Sequence, residues 1–269
     1  MPELPEMETY KNLLQMKVTG QQIVAVEVNR EKSINTPVSQ FSKELLGTRI
    51  IQIHRRGKYL LFELETGKIL LLHLMLGGLM YIEDKTDIIS RTKQVILSFS
   101  SHKLVFIGLR LGYLHLHDST SVKGEIADLG PEPLHSDFTH SFFESLLESK
   151  RGMLKTTFVN QKFIAGIGNC YSDEICFVAG LLPTRKINTL KKDEIKKLYN
   201  SISTVLKEAI HFGGYIELPL FKDDQLTGGY NDKCKVYDRE GENCVRCGNT
   251  IVKQTVSSRK VFFCPNCQI

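Results

Sequence analysis

Apolar residues recur at helical intervals at the start of the chain, where Leu4, Met7, Tyr10, Leu13 and Leu14 share one face, so the spacing predicts a helix over residues 3–17. From about residue 22 to 116 the period shortens. The runs IVAVEV, RIIQI, YLLFEL, KILLLHL, QVILSF and KLVFI are rich in β-branched and aromatic residues and are separated by Gly, Ser-His or charged turns. That pattern predicts an antiparallel sandwich or barrel. After the breaker Gly130-Pro131-Glu132-Pro133 the period turns helical again, in SDFTHSFFESLLESK, in a segment capped by Asn169 and ended by Gly180, and over residues 191–211. A glycine-rich polar stretch, residues 213–230, leads into a tail read as two short hairpins.

These elements predict an α+β protein in three parts. A leading helix and β-sandwich would occupy residues 1–125, a helical domain 126–225 and a cysteine-bearing tail 226–269. At 269 residues and 42% apolar content the chain has enough material for more than one core. It contains no run of 18 or more apolar residues, and Glu3, Glu6 and Glu8 do not read as part of a secretory signal. A cytoplasmic protein with no membrane partner is expected. Thirty-five Lys and Arg against 30 Asp and Glu give a net charge of +5, compatible with a polyanionic partner but far from a histone-like excess.

Four of the seven cysteines form the pairs Cys244-x2-Cys247 and Cys264-x2-Cys267, 16 residues apart. Two thiolates on one turn grip the same tetrahedral ion, so one zinc is expected. An all-cysteine set leaves no open position for water, which makes the ion structural. Cys170, Cys176 and Cys234 are expected to pack as small apolar residues.

The start, Met-Pro-Glu-Leu-Pro-Glu, offers a different chemistry. Once Met1 is removed, Pro2 carries a secondary amine, and an α-amino group titrates at about 7.7–8.0, so part of it is an unprotonated nucleophile near neutrality. Pro and Glu also suit the first turn of any helix, so the motif needs company. Company is present: MPELPEMET, the segment LGPEPL, the stretch KTTFVNQKFIAGIGNCYSDE and the cysteine tail follow one another in one chain. Together they resemble the formamidopyrimidine-DNA glycosylase/endonuclease VIII family, over the whole chain.

The resemblance implies a helix–two-turn–helix DNA-binding domain, a zinc-finger hairpin, and a monomer that repairs double-stranded damaged DNA. It implies Pro2 as nucleophile at the sugar C1′, Glu3 as the acid that moves protons beside it, and Glu6 as a supporting acid. Lys58, which would also reach the lesion, Asn169 and Arg259 would grip phosphates around the flipped nucleotide, with Lys58 and Arg259 counted with the catalytic set and Lys155 beside them. The vacancy left by flipping would be filled from the Leu76 and Arg110 loops. Here the chain departs from its relatives. Leu76, with Met75 beside it, stands where formamidopyrimidine glycosylases place Met, and Leu111, Gly112 and Tyr113 stand where an intercalating Phe is expected. On residue type alone, Leu76 and Tyr113 are equally readable as strand core, Lys58 as a solvated hairpin lysine, and His73 as structural. Asn160 replaces a common Asp. The expected activity is a bifunctional glycosylase/AP lyase for 8-oxoguanine, formamidopyrimidines or oxidised pyrimidines. The alternatives are a catalytically silent paralogue that binds damaged DNA and an unrelated zinc-ribbon module.

Overall fold

The computed structural model describes residues 1–269. It divides into two compact units. One comprises residues 1–2, 6–128 and 216–228, the other residues 3–5, 129–215 and 229–269.

In the first unit, helix α1 (Leu4–Val18) buries Met7, Tyr10, Leu14 and Val18 in the main core. Strands β1 (Ala25–Val28), β2 (Ile50–Arg56), β3 (Tyr59–Leu64), β4 (Ile69–His73), β5 (Leu79–Glu83), β6 (Lys93–Ser98), β7 (Lys103–Ile107) and β8 (Tyr113–His117) form two four-stranded sheets. Their orders are β1-β6-β7-β5 and β2-β3-β4-β8, with every pairing antiparallel. Of the two architectures the pattern allows, this is the sandwich. Leu60, Leu72 and Leu114 lie in one cross-strand row and enter the core. Their neighbours Tyr59, His73 and Tyr113 form the next row, on the opposite face, as the two-residue period requires.

All six quoted β-runs form strands. β5 and β8 add two more. β5 is buried at all five positions, so it shows no alternation to read. An unforeseen eight-residue helix, α2 (Val38–Leu45), buries Phe41 and Leu45, and a short α3 (Ser121–Ile126) follows β8. Neither has a side-chain N-cap bond, the usual local marker of a helix start.

The second unit contains α4 (His140–Glu148), α5 (Leu154–Phe158), α6 (Asn169–Ala179) and α7 (Lys192–His211), followed by the hairpin β9 (Val252–Val256) and β10 (Arg259–Phe263). Thr139 caps α4 by accepting from Phe142 N at 3.2 Å, and Gly180 ends α6 at φ +73°. In the tail, the expected pair of hairpins is one regular hairpin and a single bridge between Asn243 and Thr250. The two packing units also cut across the three-part reading of the sequence. Residues 216–228 return to the β unit, where Leu220 is fully buried in the core and its carbonyl accepts from Ile82 N at 2.7 Å.

Candidate active site and zinc centre

The cysteine tail has the geometry of a metal site. Cys244 and Cys267 Sγ lie 3.8 Å apart, Cys247 and Cys264 Sγ 3.6 Å apart, and all four sulfurs fall within 4.8 Å of one another. A tetrahedron of Zn–S bonds about 2.3 Å long has edges of about 3.8 Å, which the 3.8 Å and 3.6 Å separations match, so this donor set fits zinc. The backbone N–H of Arg246 points at Cys244 Sγ at 3.4 Å, and the Arg246 guanidinium sits 4.3 Å over the Phe177 ring. At the tip of the hairpin Ser257 and Ser258 adopt left-handed φ of +48° and +62°, and exposed Arg259 follows them.

The start of α6 corrects one expectation. Gly168 occupies the N-cap, and Asn169 is the first helical residue, exposed, rather than the cap. The capping is done by Glu3. Its carboxylate accepts from Gly168 N at 2.6 Å, Cys170 N at 3.0 Å and Tyr171 N at 3.4 Å. These are amides a helix cannot satisfy internally, and a carboxylate is favoured there by the helix dipole. Gly166 makes the approach possible. It has φ +92°, and a Cβ on it would lie 2.6 Å from Leu4 Cβ. The side chain of Gln161 holds this turn from behind, accepting from Gly166 N and donating to Ile167 O. Asn160 Oδ1 accepts from Lys162 N at 3.0 Å, a bond the carboxylate of an Asp would accept equally.

Lys155 is a second correction. The resemblance set it beside DNA, but it is 0% exposed, and its Nζ donates to Asn169 O at 2.7 Å and Asp173 Oδ1 at 2.8 Å. Sequence reasoning also passed over Asp173 and Glu174. Glu174, fully buried, accepts from the amides of Lys235, Val236 and Tyr237 at 2.9–3.0 Å. The available signal was two adjacent acids inside the apolar run CYSDEICF.

In the β unit, Pro2 is buried. Lys58, in the β2–β3 turn beside Gly57 at φ +54°, is only 4% exposed and is no solvated hairpin lysine. Near it lies His73, stacked on Tyr59 at 4.2 Å and met edge-on by Tyr113 at 5.9 Å. Burial, with the Lys58 charge adding to it, pulls the His73 imidazole down to about 4. Tyr113 is therefore a sheet residue, outside the loop where an intercalating ring was expected. The exposed tips are Leu76, at 62%, and Leu111, at 61%, with Arg110 exposed beside Leu111. Leu76 and Arg110 line one cavity of about 500 Å³. Two glycines, Gly108 and Gly112, let the two loops close on each other, and Gly78 tightens the Leu76 loop on itself. A Cβ on Gly108 would lie 2.1 Å from Gly77 O, one on Gly112 2.4 Å from His73 O, and one on Gly78 2.2 Å from Leu74 O.

Comparison with known proteins matches three family models in chain order. They are the formamidopyrimidine-DNA glycosylase N-terminal domain at residues 1–113, the H2TH domain of the same enzymes at 129–218, and a zinc finger found in FPG and IleRS at 241–269. The chain is 37% identical to the formamidopyrimidine-DNA glycosylase of Listeria monocytogenes, over the full length of both. It belongs to the formamidopyrimidine-DNA glycosylase/endonuclease VIII family. The enzyme of that name from Carboxydothermus hydrogenoformans is 34% identical over 100% of each chain. Two solved structures share 32% identity and cover 99% of each chain at a TM-score of 0.92. One is a Lactococcus lactis FPG mutant with DNA containing Fapy-dG, and the other is the Lactococcus lactis protein with DNA containing an abasic site. Membership makes the chain a DNA-binding repair glycosylase with one structural zinc, held by Cys244, Cys247, Cys264 and Cys267. No helix is long and apolar enough to cross a membrane.

Proposed function

We propose that the chain excises oxidised bases from duplex DNA and then cuts the abasic strand, with Pro2 as the nucleophile. Once Met1 is removed, the Pro2 nitrogen attacks the sugar C1′. The glycosidic C1′–N bond breaks, and its electron pair leaves with the base, which takes up a proton. The amine gives up its proton, the C1′–O4′ bond breaks with its electron pair leaving on O4′, which takes up a proton, and an iminium (Schiff-base) cation then joins Pro2 to C1′. That cation acidifies the C2′ proton, whose loss expels the 3′ phosphate oxygen and breaks the strand. The observation that carries this reading is the start of the chain. Pro2 is buried, and the next residue in the chain, Glu3, has its carboxylate fixed by three amide donors, which supports its assignment as the proton-handling group. The DNA-bound Lactococcus lactis relatives support the substrate class.

Lys58 from the β unit, and Asn169 and Arg259 from the helical unit, are assigned to phosphates of the damaged strand. The exposure of Asn169 at a helix N-terminus and of Arg259 at the hairpin tip supports this. Leu76 and Arg110 are assigned to the space vacated by the flipped nucleotide. Formamidopyrimidines are favoured as substrates over oxidised pyrimidines by the relatives' names, and 8-oxoguanine is carried as a second purine lesion by the family resemblance.

The test is borohydride trapping on duplexes bearing 8-oxoguanine, a formamidopyrimidine, an oxidised pyrimidine or an abasic site. The expected outcome is a covalent adduct from the native chain and none from Pro2→Gly. Tight binding without any adduct, from zinc-loaded protein lacking Met1, would leave a silent damage-binding paralogue as the better account.

A further inference from the structure

The fully buried ion pair of Lys155 and Asp173 joins two different elements of the helical unit. Lys155 Nζ donates to the backbone carbonyl of Asn169, in the first turn of α6, at 2.7 Å, and to Asp173 Oδ1 at 2.8 Å. The other carboxylate oxygen, Asp173 Oδ2, accepts from the backbone N–H of Phe262, near the end of β10, at 3.1 Å. Both side chains are 0% exposed. The pair's other hydrogen bonds go to main-chain atoms at its two ends. One end is the residue that opens α6. The other lies three positions after Arg259 on the zinc hairpin.

Such a pair is poorly explained as a source of stability. Desolvating two charges offsets most of their attraction, and buried pairs can often be replaced by apolar residues at no cost. What a pair with fixed hydrogen-bond geometry does supply is position. Glu174, the next residue of α6, repeats the arrangement by accepting three amides from residues 235–237, the segment that leads toward the hairpin.

We propose that Lys155 and Asp173 are positioning residues that hold Asn169 and Arg259 at a fixed spacing, so that both engage phosphates of one DNA strand together. This rests on the reading of Arg259 as a phosphate contact. Neither residue of the pair touches DNA.

A double-mutant cycle tests the proposal. Binding of the full, zinc-loaded chain to a duplex bearing a non-cleavable abasic analogue is measured by fluorescence anisotropy across a salt series. The proteins are the native chain, Arg259→Gln, the charge-neutral Lys155→Met/Asp173→Asn, and all three changes combined. Arg259→Gln should weaken binding roughly tenfold and lower the slope of log K against log salt by about one. Lys155→Met/Asp173→Asn should lower the slope by the same amount while retaining zinc. Adding Arg259→Gln to it should then weaken binding by less than about twofold, because the arginine is already out of place. If the pair only supports the fold, the melting temperature falls, the salt slope stays native and the losses multiply, and the proposal is overturned. A native slope in Arg259→Gln alone would remove the phosphate-contact reading and this proposal with it. If the neutral pair does not retain zinc, the cycle is run with Asp173→Asn alone, which keeps an acceptor for Phe262, and the same outcomes decide.

Discussion

His73 sits on β4 with Tyr59 against one side and Tyr113 at its edge, and burial together with the Lys58 ammonium holds it neutral until about pH 4. A histidine whose folded pKa lies below its unfolded value of about 6.5 binds fewer protons when folded, so stability falls as pH drops from 6.5 towards 4 and is flat above. The full shift corresponds to about 3 kcal/mol. His102 and His115, also lowered by burial, act in the same direction. Buried Asp173 and Glu174, pushed up by burial, act the other way, so the signature of His73 is the difference: between pH 6.5 and 4 the native chain should lose more stability in thermal melting than His73→Gln. An unchanged pH profile in the variant would show that His73 is not the group responsible.

At the scale of elements, two short segments are held by features other than a large core. The Leu76 and Arg110 loops touch through glycines, and Gly108 also needs φ +71°. Gly108→Ala should cost at least about 2 kcal/mol, through strain and the clash with Gly77 O. It should also weaken the excision step more than binding if these loops fill the vacated space, which single-turnover rates and Kd values measured on one duplex would separate. The zinc hairpin is held differently. Beyond two ligand cysteines, its local core consists of Phe177, Val236, Ile251 and Phe262, too little apolar area to order the tail alone. Structural zinc supplies apparent binding free energies of about 10–16 kcal/mol. Chelation should therefore unfold residues 241–269 and abolish DNA binding while the α1 and sandwich signals persist, as hydrogen exchange would resolve. Protection of the hairpin in the metal-free chain would contradict the assignment of zinc as its main support.

At the scale of the whole molecule, the order of residues along the chain is not the order of packing. The segment 216–228 lies between the helices and the zinc hairpin in sequence, yet it completes the β unit. Leu220 is buried among β-sandwich residues, and Leu218 O accepts from the Tyr10 hydroxyl at 3.0 Å. Leu220→Ala should cost about 2–5 kcal/mol. The loss should appear as faster exchange in β5 and β7 rather than in α6 and α7. Loss confined to the helices would mean that this segment supports the other unit.

The sequence by itself determined whatever depends on local order along the chain. Each C-x2-C pair places two thiolates on one turn, and the two pairs together name the four ligands, although the folded tail brings the pairs together. The alternating and helical runs, repeated over many residues, settled six of the eight sandwich strands and α4, α6 and α7. The order of four motifs settled the family. Tertiary structure decided whatever depends on which side chains are removed from water. Lys155 reads like any lysine until burial gives it Asp173 as partner. Glu3 reads as a helix-start acid until the GIG turn, 163 residues away, folds against it and takes its carboxylate as the cap of α6. Tyr113 reads equally as a loop aromatic or as strand core until strand pairing sets it against His73. In each case the deciding energy is desolvation met by a distant partner, and no spacing along the chain encodes that partner.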